Sequence, residues 1–244
     1  AMCSVSRCSR MPSVTESRSP LIALVGPTAV GKTALAIRLA LAIQGEIVSA
    51  DSRQVYQGMD IGTAKPTLAE RALVPHHLLD IVPPEHALTL AEFQTQAYQA
   101  IADIQRRGRV PFLVGGSGQY VRAVLEGWTV PAVAPDLDLR ARLEADADRL
   151  GAAALHERLA ALDPVAAAAI DARNVRRVIR ALEVCLTTGQ PISRLQTRQS
   201  PPYRIWQLGL TRPAVELYAR LDAVSYTHLR AHETVLDLVF RLLL

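Results

Sequence analysis

The stretch LIALVGPTAVGKT, Leu21 to Thr33, decides how the rest of this chain is read. Five apolar residues, the profile of a buried strand, run directly into Gly26, Pro27, Thr28, Ala29, Val30, Gly31, Lys32 and Thr33. These eight satisfy G-x-x-x-x-G-K-[ST] at every fixed position, the pattern of a phosphate-binding loop. Glycine at 26 and 31 lets the backbone curl until successive N–H groups face one anion, while Lys32 adds a point charge and Thr33 a hydroxyl suited to Mg²⁺. Ala34 to Gln44, apolar at Leu35, Ile37, Leu39, Ala40 and Ile43, is the helix whose positive dipole end completes the site. A chance Gly-rich turn would not require strand, loop and helix in this succession. The loop does not name its phosphate: a nucleoside triphosphate is the default, and any pyrophosphate ester would satisfy the same donors.

With 244 residues, half of them hydrophobic and a fifth charged, the chain can bury a substantial core in one or two domains. A net charge of +4 tilts it mildly towards an anionic partner such as nucleic acid, although scattered surface arginines give the same sum. Cys3, Cys8 and Cys185 form neither a C-x-x-C pair nor an even framework, which suits a reducing compartment without structural disulfides or zinc. No apolar run approaches the roughly 18 residues of a membrane span.

Along the chain, two further strands end at positions where ligands could sit. Glu46 to Ala50 stops at Asp51 and opens into the polar, Gly-punctuated loop DSRQVYQGMDIGTAKP; Val110 to Val114 stops at Gly115, Gly116, Ser117 and Gly118. The spacing therefore predicts three strand ends, at Gly26, Asp51 and Gly115, converging on one crevice. Taken alone, Asp51 has a second reading as a turn or N-cap aspartate. The paired His76 and His77 point to opposite sides of an extended chain and lack a third ligand, so a structural or substrate-lining role is expected of them in preference to metal. Leu90 to Arg107 is a helix with Thr89 and Glu92 as a capping box. From Asp136 the composition turns Ala-, Leu- and Arg-rich: helices are expected over DLDLRARLEADADRLGAAALHERLAAL and RNVRRVIRALEVCLTTG, with breaks at Asp163-Pro164 and Gly189. Arg173, Arg176, Arg177 and Arg180 recur at spacings of one, three and four, which makes one helix face positive, either as a solvated face or as a contact for a phosphate backbone. Arg204 to Leu210 returns to strand and Pro213 to Leu221 to helix.

These segments predict an α/β fold: a P-loop NTPase-like parallel sheet core over 20–135, an inserted helical domain over 136–195 and a return to the core over 196–222. Residues 1–19, Ser- and Arg-rich, are read as a disordered leader, with Met11 as an alternative start.

The motifs GPTAVGKT, DSRQVYQGMDIGTAKP, HHLLDI, GGSGQY, RRVIRALEV and LGLTRP to LYARLD stand in the order found in the tRNA dimethylallyltransferases, also called tRNA isopentenyltransferases, and the chain resembles that family from Leu21 to Asp222. The resemblance implies that the loop, Thr28 to Thr33, grips the pyrophosphate of dimethylallyl diphosphate, with Mg²⁺ near Thr33. It implies that the acceptor is the exocyclic amine of an adenine beside the tRNA anticodon and that Asp51 is the general base. Lys32 and Ser117 then join Asp51 in the catalytic set, Ser117 standing where the family has Thr. Asp51, Ser52, Arg53, Gln54, Ser117, Arg140 and the run Arg176, Arg177, Val178, Ile179 and Arg180 match tRNA-contacting positions, and the insert becomes tRNA-binding. A cytoplasmic monomer without membrane contact is expected.

Departures from the family pattern are Val30, where Ser is common, and Gln119, which is less apolar than the usual residue. Backbone N–H groups do most of the loop's work, so a modest effect is expected of Val30. AVSYTHLRAHETVLDLVFRLLL, Ala223 to Leu244, matches nothing in the family and reads as a non-native tail on a truncated gene. The competing functional reading is a P-loop kinase of a small metabolite or nucleotide, in which Asp51 would bind the acceptor. A nucleotide-dependent switch or an inert RNA-binding fragment is a third.

Overall fold

Strand β1 (Pro20–Val25) lies between two parallel neighbours, β4 (Val110–Gly115) and β5 (Arg204–Gly209), in a five-stranded sheet. β2 (Gly45–Ser49) and β3 (His76–His77) extend it, giving the order β3-β2-β4-β1-β5 with every pairing parallel. The computed structural model describes residues 19–222 except 61 and 132. The leader, apart from residue 19, and the tail at 223–244 lie outside the described residues.

A parallel sheet covered on both faces needs strands that are apolar throughout, and β2 and β4 are buried along almost their whole length. Successive side chains point to opposite faces, so each strand serves two cores. On one face Leu24, Ile47, Phe112 and Val114 pack with Ala36, Ile37 and Ala40 of α1 (Lys32–Ile43). On the other, Leu21, Ala23, Val48 and Leu113 meet Phe93, Ala97, Ile101 and Ile104 of α3 (Leu90–Arg106), together with Val121 and Val124 of α4 (Gly118–Leu125). The capping box expected at Thr89 and Glu92 forms, with reciprocal side-chain bonds. A second box, Thr67 with Glu70, starts α2 (Leu68–Leu73), a helix too short to show periodicity in the sequence.

The Ala-, Leu- and Arg-rich stretch folds into α5 (Leu137–Leu150), α6 (Ala152–Leu162), α7 (Pro164–Ala169), α8 (Val175–Thr188) and α9 (Ile192–Leu195). They share their own core of Leu143, Leu155, Leu159, Val178, Ile179 and Leu182. The break at Asp163-Pro164 is present; Gly151, at φ 88°, adds one that periodicity did not disclose and divides α5 from α6. Asp163 holds the turn by accepting from Ala166 N–H at 3.0 Å and from the Ser193 N–H and hydroxyl, each at 2.8 Å.

At the amino-terminal end of the sheet, remote from the strand tips, Glu46 is fully buried between Arg107 and His77. This gives His77 a structural partner at 2.7 Å, while His76 Nδ1 meets Val74 O at 2.7 Å. Burial alone would raise the Glu46 carboxyl, but the Arg107 guanidinium and the His77 ring outweigh it and hold it below the usual range. The ionised form thus adds stability that is present above the ordinary carboxyl value and is lost as pH falls through the depressed one. Glu46→Gln should cost about 2 kcal/mol at neutral pH, with water hydrating the half-exposed Arg107 it leaves behind. Urea midpoints at pH 7 and pH 4 should differ less in the variant than in the parent; equal differences would exclude this assignment.

Candidate active site

Register brings the three expected strand ends level. Val25 stands opposite both Gly115 and Gly209, and Ser49 stands opposite Val114, so the loops after β1, β2 and β4 leave the sheet along one edge. Their approach is close. A β-carbon on Gly115 would lie 2.1 Å from Ala50 O, which is why this position admits only glycine. Ala50 N–H donates to Val114 O at 2.8 Å and Ser117 N–H to Ala50 O at 3.3 Å, pinning the start of the Asp51 loop to the GGSG turn.

The phosphate loop spans the gap between β1 and α1 with positive φ at Gly26, Ala29 and Gly31. Among the described residues the N–H groups of Gly31, Lys32 and Thr33 donate to no backbone acceptor, as expected of a helix N-terminus open to an anion. Lys32 Nζ donates to Gly26 O and Pro27 O, each at 2.9 Å. Gly116 of the GGSG turn lies beside it: a β-carbon there would stand 3.6 Å from Nζ, an ordinary contact. Burial pushes the Lys32 ammonium below its usual value, and the charge of Asp51 pulls it back up. Lys32, at the start of α1, and Asp51, just beyond β2, stand at the same sheet edge, where the charge of Asp51 reaches Lys32.

Asp51 also satisfies its alternative reading: Oδ1 accepts the Arg53 N–H at 2.9 Å in an Asx turn. Ser117 Oγ accepts the Ser52 N–H at 2.9 Å, and its hydroxyl donates to Ser52 Oγ at 3.2 Å. Below this edge Tyr120 stacks on Phe93 with ring centroids 3.8 Å apart. Its phenol is pushed up by burial and by the nearby Tyr56 and Asp51.

The remaining residues proposed from the sequence divide sharply. Arg53 is exposed, whereas Gln54 is engaged within its own loop, accepting from Ser49 Oγ at 3.0 Å and donating to the Thr63 and Ala64 carbonyls at 3.1 Å. Lys65 anchors the same loop from a buried position, bonded to Asp60 at 2.7 Å, Asp80 at 2.6 Å and Tyr56 O at 2.9 Å. Arg140 forks onto the buried Glu183 at 2.8 and 2.9 Å, and Arg180 joins the same carboxylate. Both guanidinium groups are thus tied into the helical unit. Val178 and Ile179 require correction as RNA contacts, because their side chains belong to the core of that unit; Arg176 and Arg177 are the exposed members of the run. Two arginines went unassigned from the sequence. Arg212 and Arg220 each bring a guanidinium nitrogen to 3.9 Å from where a Gly31 β-carbon would stand. LGLTRP and LYARLD were the only signal for them.

A family model described as IPP transferase matches residues 54–230, and one described as isopentenyl transferase matches 19–78. A tRNA dimethylallyltransferase of Roseiflexus sp. (strain RS-1) is 62% identical over 92% of this chain and 73% of that protein. The chain belongs to the tRNA dimethylallyltransferase family. Another member, from Chloroflexus aggregans, is 65% identical over 83% of this chain and 69% of its own length. The full-length tRNA isopentenylpyrophosphate transferase of Bacillus halodurans superposes with a TM-score of 0.58 at 45% identity, covering 87% of this chain and 67% of that one. A eukaryotic dimethylallyltransferase acting on tRNA gives 0.73 at 31% identity, covering 87% and 53%. Membership in a prenyltransferase family sets aside the kinase reading of the phosphate loop. Among the described residues no helix is long and apolar enough to cross a membrane, and no cluster of three His, Cys, Asp or Glu could hold a metal by itself.

Proposed function

We propose that this chain transfers a dimethylallyl group from dimethylallyl diphosphate to the exocyclic amine of the adenine beside the anticodon of tRNA, releasing diphosphate. The observation that carries the reading is that the phosphate loop with Lys32 and the Asp51 loop leave the sheet along one edge, in a member of this family. The loop N–H groups and Lys32 hold the diphosphate, and the same donors stabilise the charge that grows on it as the allylic carbon–oxygen bond breaks. The amine nitrogen forms the new bond to that carbon and gives its proton to the Asp51 carboxylate. Asp51 is held ready for this by the Asx turn, which occupies one of its two oxygens. Ser52 and Ser117 keep the Asp51 loop against the GGSG turn.

Mg²⁺ fits the donor set: the hard hydroxyl oxygen of Thr33 next to a diphosphate suffices for an ion that keeps several waters, without a cage of protein ligands. When bound it neutralises charge on the leaving group. The target base must leave its stack to reach a sheet edge, which favours the single-stranded anticodon loop. Arg53, Arg176 and Arg177 are offered as phosphate-backbone contacts, and Arg140 and Arg180 through whatever edge Glu183 leaves free. The expectation of a cytoplasmic monomer belongs to the same reading.

Radiolabelled dimethylallyl diphosphate supplied with undermodified tRNA tests it. Label should enter the RNA without consumption of ATP; ATP-dependent phosphorylation of a small acceptor, or RNA binding with neither reaction, would overturn it.

A further inference from the structure

Arg212 has no part in the chemistry above, yet it touches the phosphate loop directly. It lies three residues beyond the end of β5, and its Nε donates to Val30 O at 3.0 Å across 182 positions of sequence. Nη1 is paired with Glu216, one helical turn further on, at 3.2 Å. The approach is imposed by the backbone. Leu210 N–H donates to Val25 O at 2.8 Å, and a β-carbon on Gly26 would come within 2.6 Å of Leu210 O. The chain leaving β5 is therefore laid against the entrance of the loop.

Val30 C=O and Gly31 N–H belong to one trans peptide unit, so they point in opposite directions. A guanidinium that grips the carbonyl from outside the loop fixes the N–H towards the inside. Without such a grip the peptide is free to turn, because Gly31 at φ 100° has no side chain to restrict it. The Gly31 N–H has no backbone acceptor among the described residues, which leaves it for an anion.

We propose that Arg212 is a positioning residue for the diphosphate: by holding Val30 O, with Glu216 steadying its other edge, it locks the 30–31 peptide with its N–H turned into the cradle. This rests on the reading that the loop holds a diphosphate. The test is calorimetric titration of inorganic pyrophosphate with Mg²⁺ into the wild type, Arg212→Met and Arg212→Lys. Arg212→Met should weaken pyrophosphate binding about 10-fold, the scale of one charge-assisted hydrogen bond, and raise KM for dimethylallyl diphosphate by a similar factor. KM for tRNA and the thermal midpoint should stay near wild type, and Arg212→Lys, which keeps a cationic donor, should recover part of the loss. Unchanged pyrophosphate affinity in Arg212→Met would overturn the role of Arg212 alone, as would equal losses in tRNA binding and thermal midpoint, which would mark a merely structural contact. A wild type that fails to bind pyrophosphate would overturn the diphosphate reading and this inference with it.

Discussion

Asp51→Asn should lower the turnover of prenyl transfer by roughly 10²- to 10⁴-fold while pyrophosphate binding at neutral pH stays within a few fold of wild type. An adenine amine is a weak nucleophile, and its proton must go somewhere as the bond to carbon forms. At this sheet edge Asp51 supplies a carboxylate whose charge reaches Lys32. Asn preserves the Asx turn, since its amide oxygen can still accept the Arg53 N–H, but it cannot accept a proton. Asp51→Ala loses both, so a larger fall in Ala than in Asn separates the turn's contribution from the base's. A second signature follows from the charge of Asp51. Burial depresses the Lys32 ammonium and Asp51 opposes that depression; without the carboxylate Lys32 loses its proton at lower pH. Pyrophosphate affinity should therefore fade earlier in the variant than in the wild type as pH is raised above neutrality. Single-turnover rates with labelled substrate measure the first effect and calorimetry across pH the second. Near wild-type turnover in Asp51→Asn would remove Asp51 from the mechanism.

Lys32→Met should reduce kcat/KM for dimethylallyl diphosphate by about 10²- to 10³-fold, the usual cost of losing one preorganised donor to a developing anion. Pyrophosphate binding should weaken with it. The fold should tolerate the change. Among the described residues Nζ bonds only to the carbonyls of Gly26 and Pro27, on a loop in contact with water, so no deeply buried group there is left unpaired. Those two bonds describe a lysine folded back on its own loop, and on binding it exchanges neutral carbonyls for a charged diphosphate. The variant therefore separates the leaving-group role from the base: Asp51→Asn should retain pyrophosphate, whereas Lys32→Met should lose it. Full activity in Lys32→Met, or equal pyrophosphate affinity in both variants, would contradict this division.

Much of the core was legible because its signals are local. A phosphate loop needs its glycines and lysine at set intervals, and a doubly covered parallel strand must be apolar throughout, so β1, β2 and β4 and the meeting of their ends at one sheet edge could be found by reading alone. The helical insert was legible as helix but not as chemistry. Arg176 to Arg180 looks like a basic run, yet on α8 the helical period turns Val178 and Ile179 inward, with Leu182 a turn further on, and leaves Arg176 and Arg177 outside. That division was available from the 3.6-residue repeat and was obscured by treating the run as one motif.

Other assignments could not be made from spacing at all. Arg140 and Arg180 share Glu183 because α5 packs on α8, and Gln54 is used up bracing its own loop. Arg212 meets Val30 only because β5 pairs beside β1. The chain's order of residues settles what depends on neighbours a few positions away: turns that need glycine, helices that need a period, a loop that needs a charge at its end. Partnerships between distant segments wait for strand order and helix packing to choose among many similar arginines and carboxylates, since an ion pair depends on distance in space and carries no mark in the sequence.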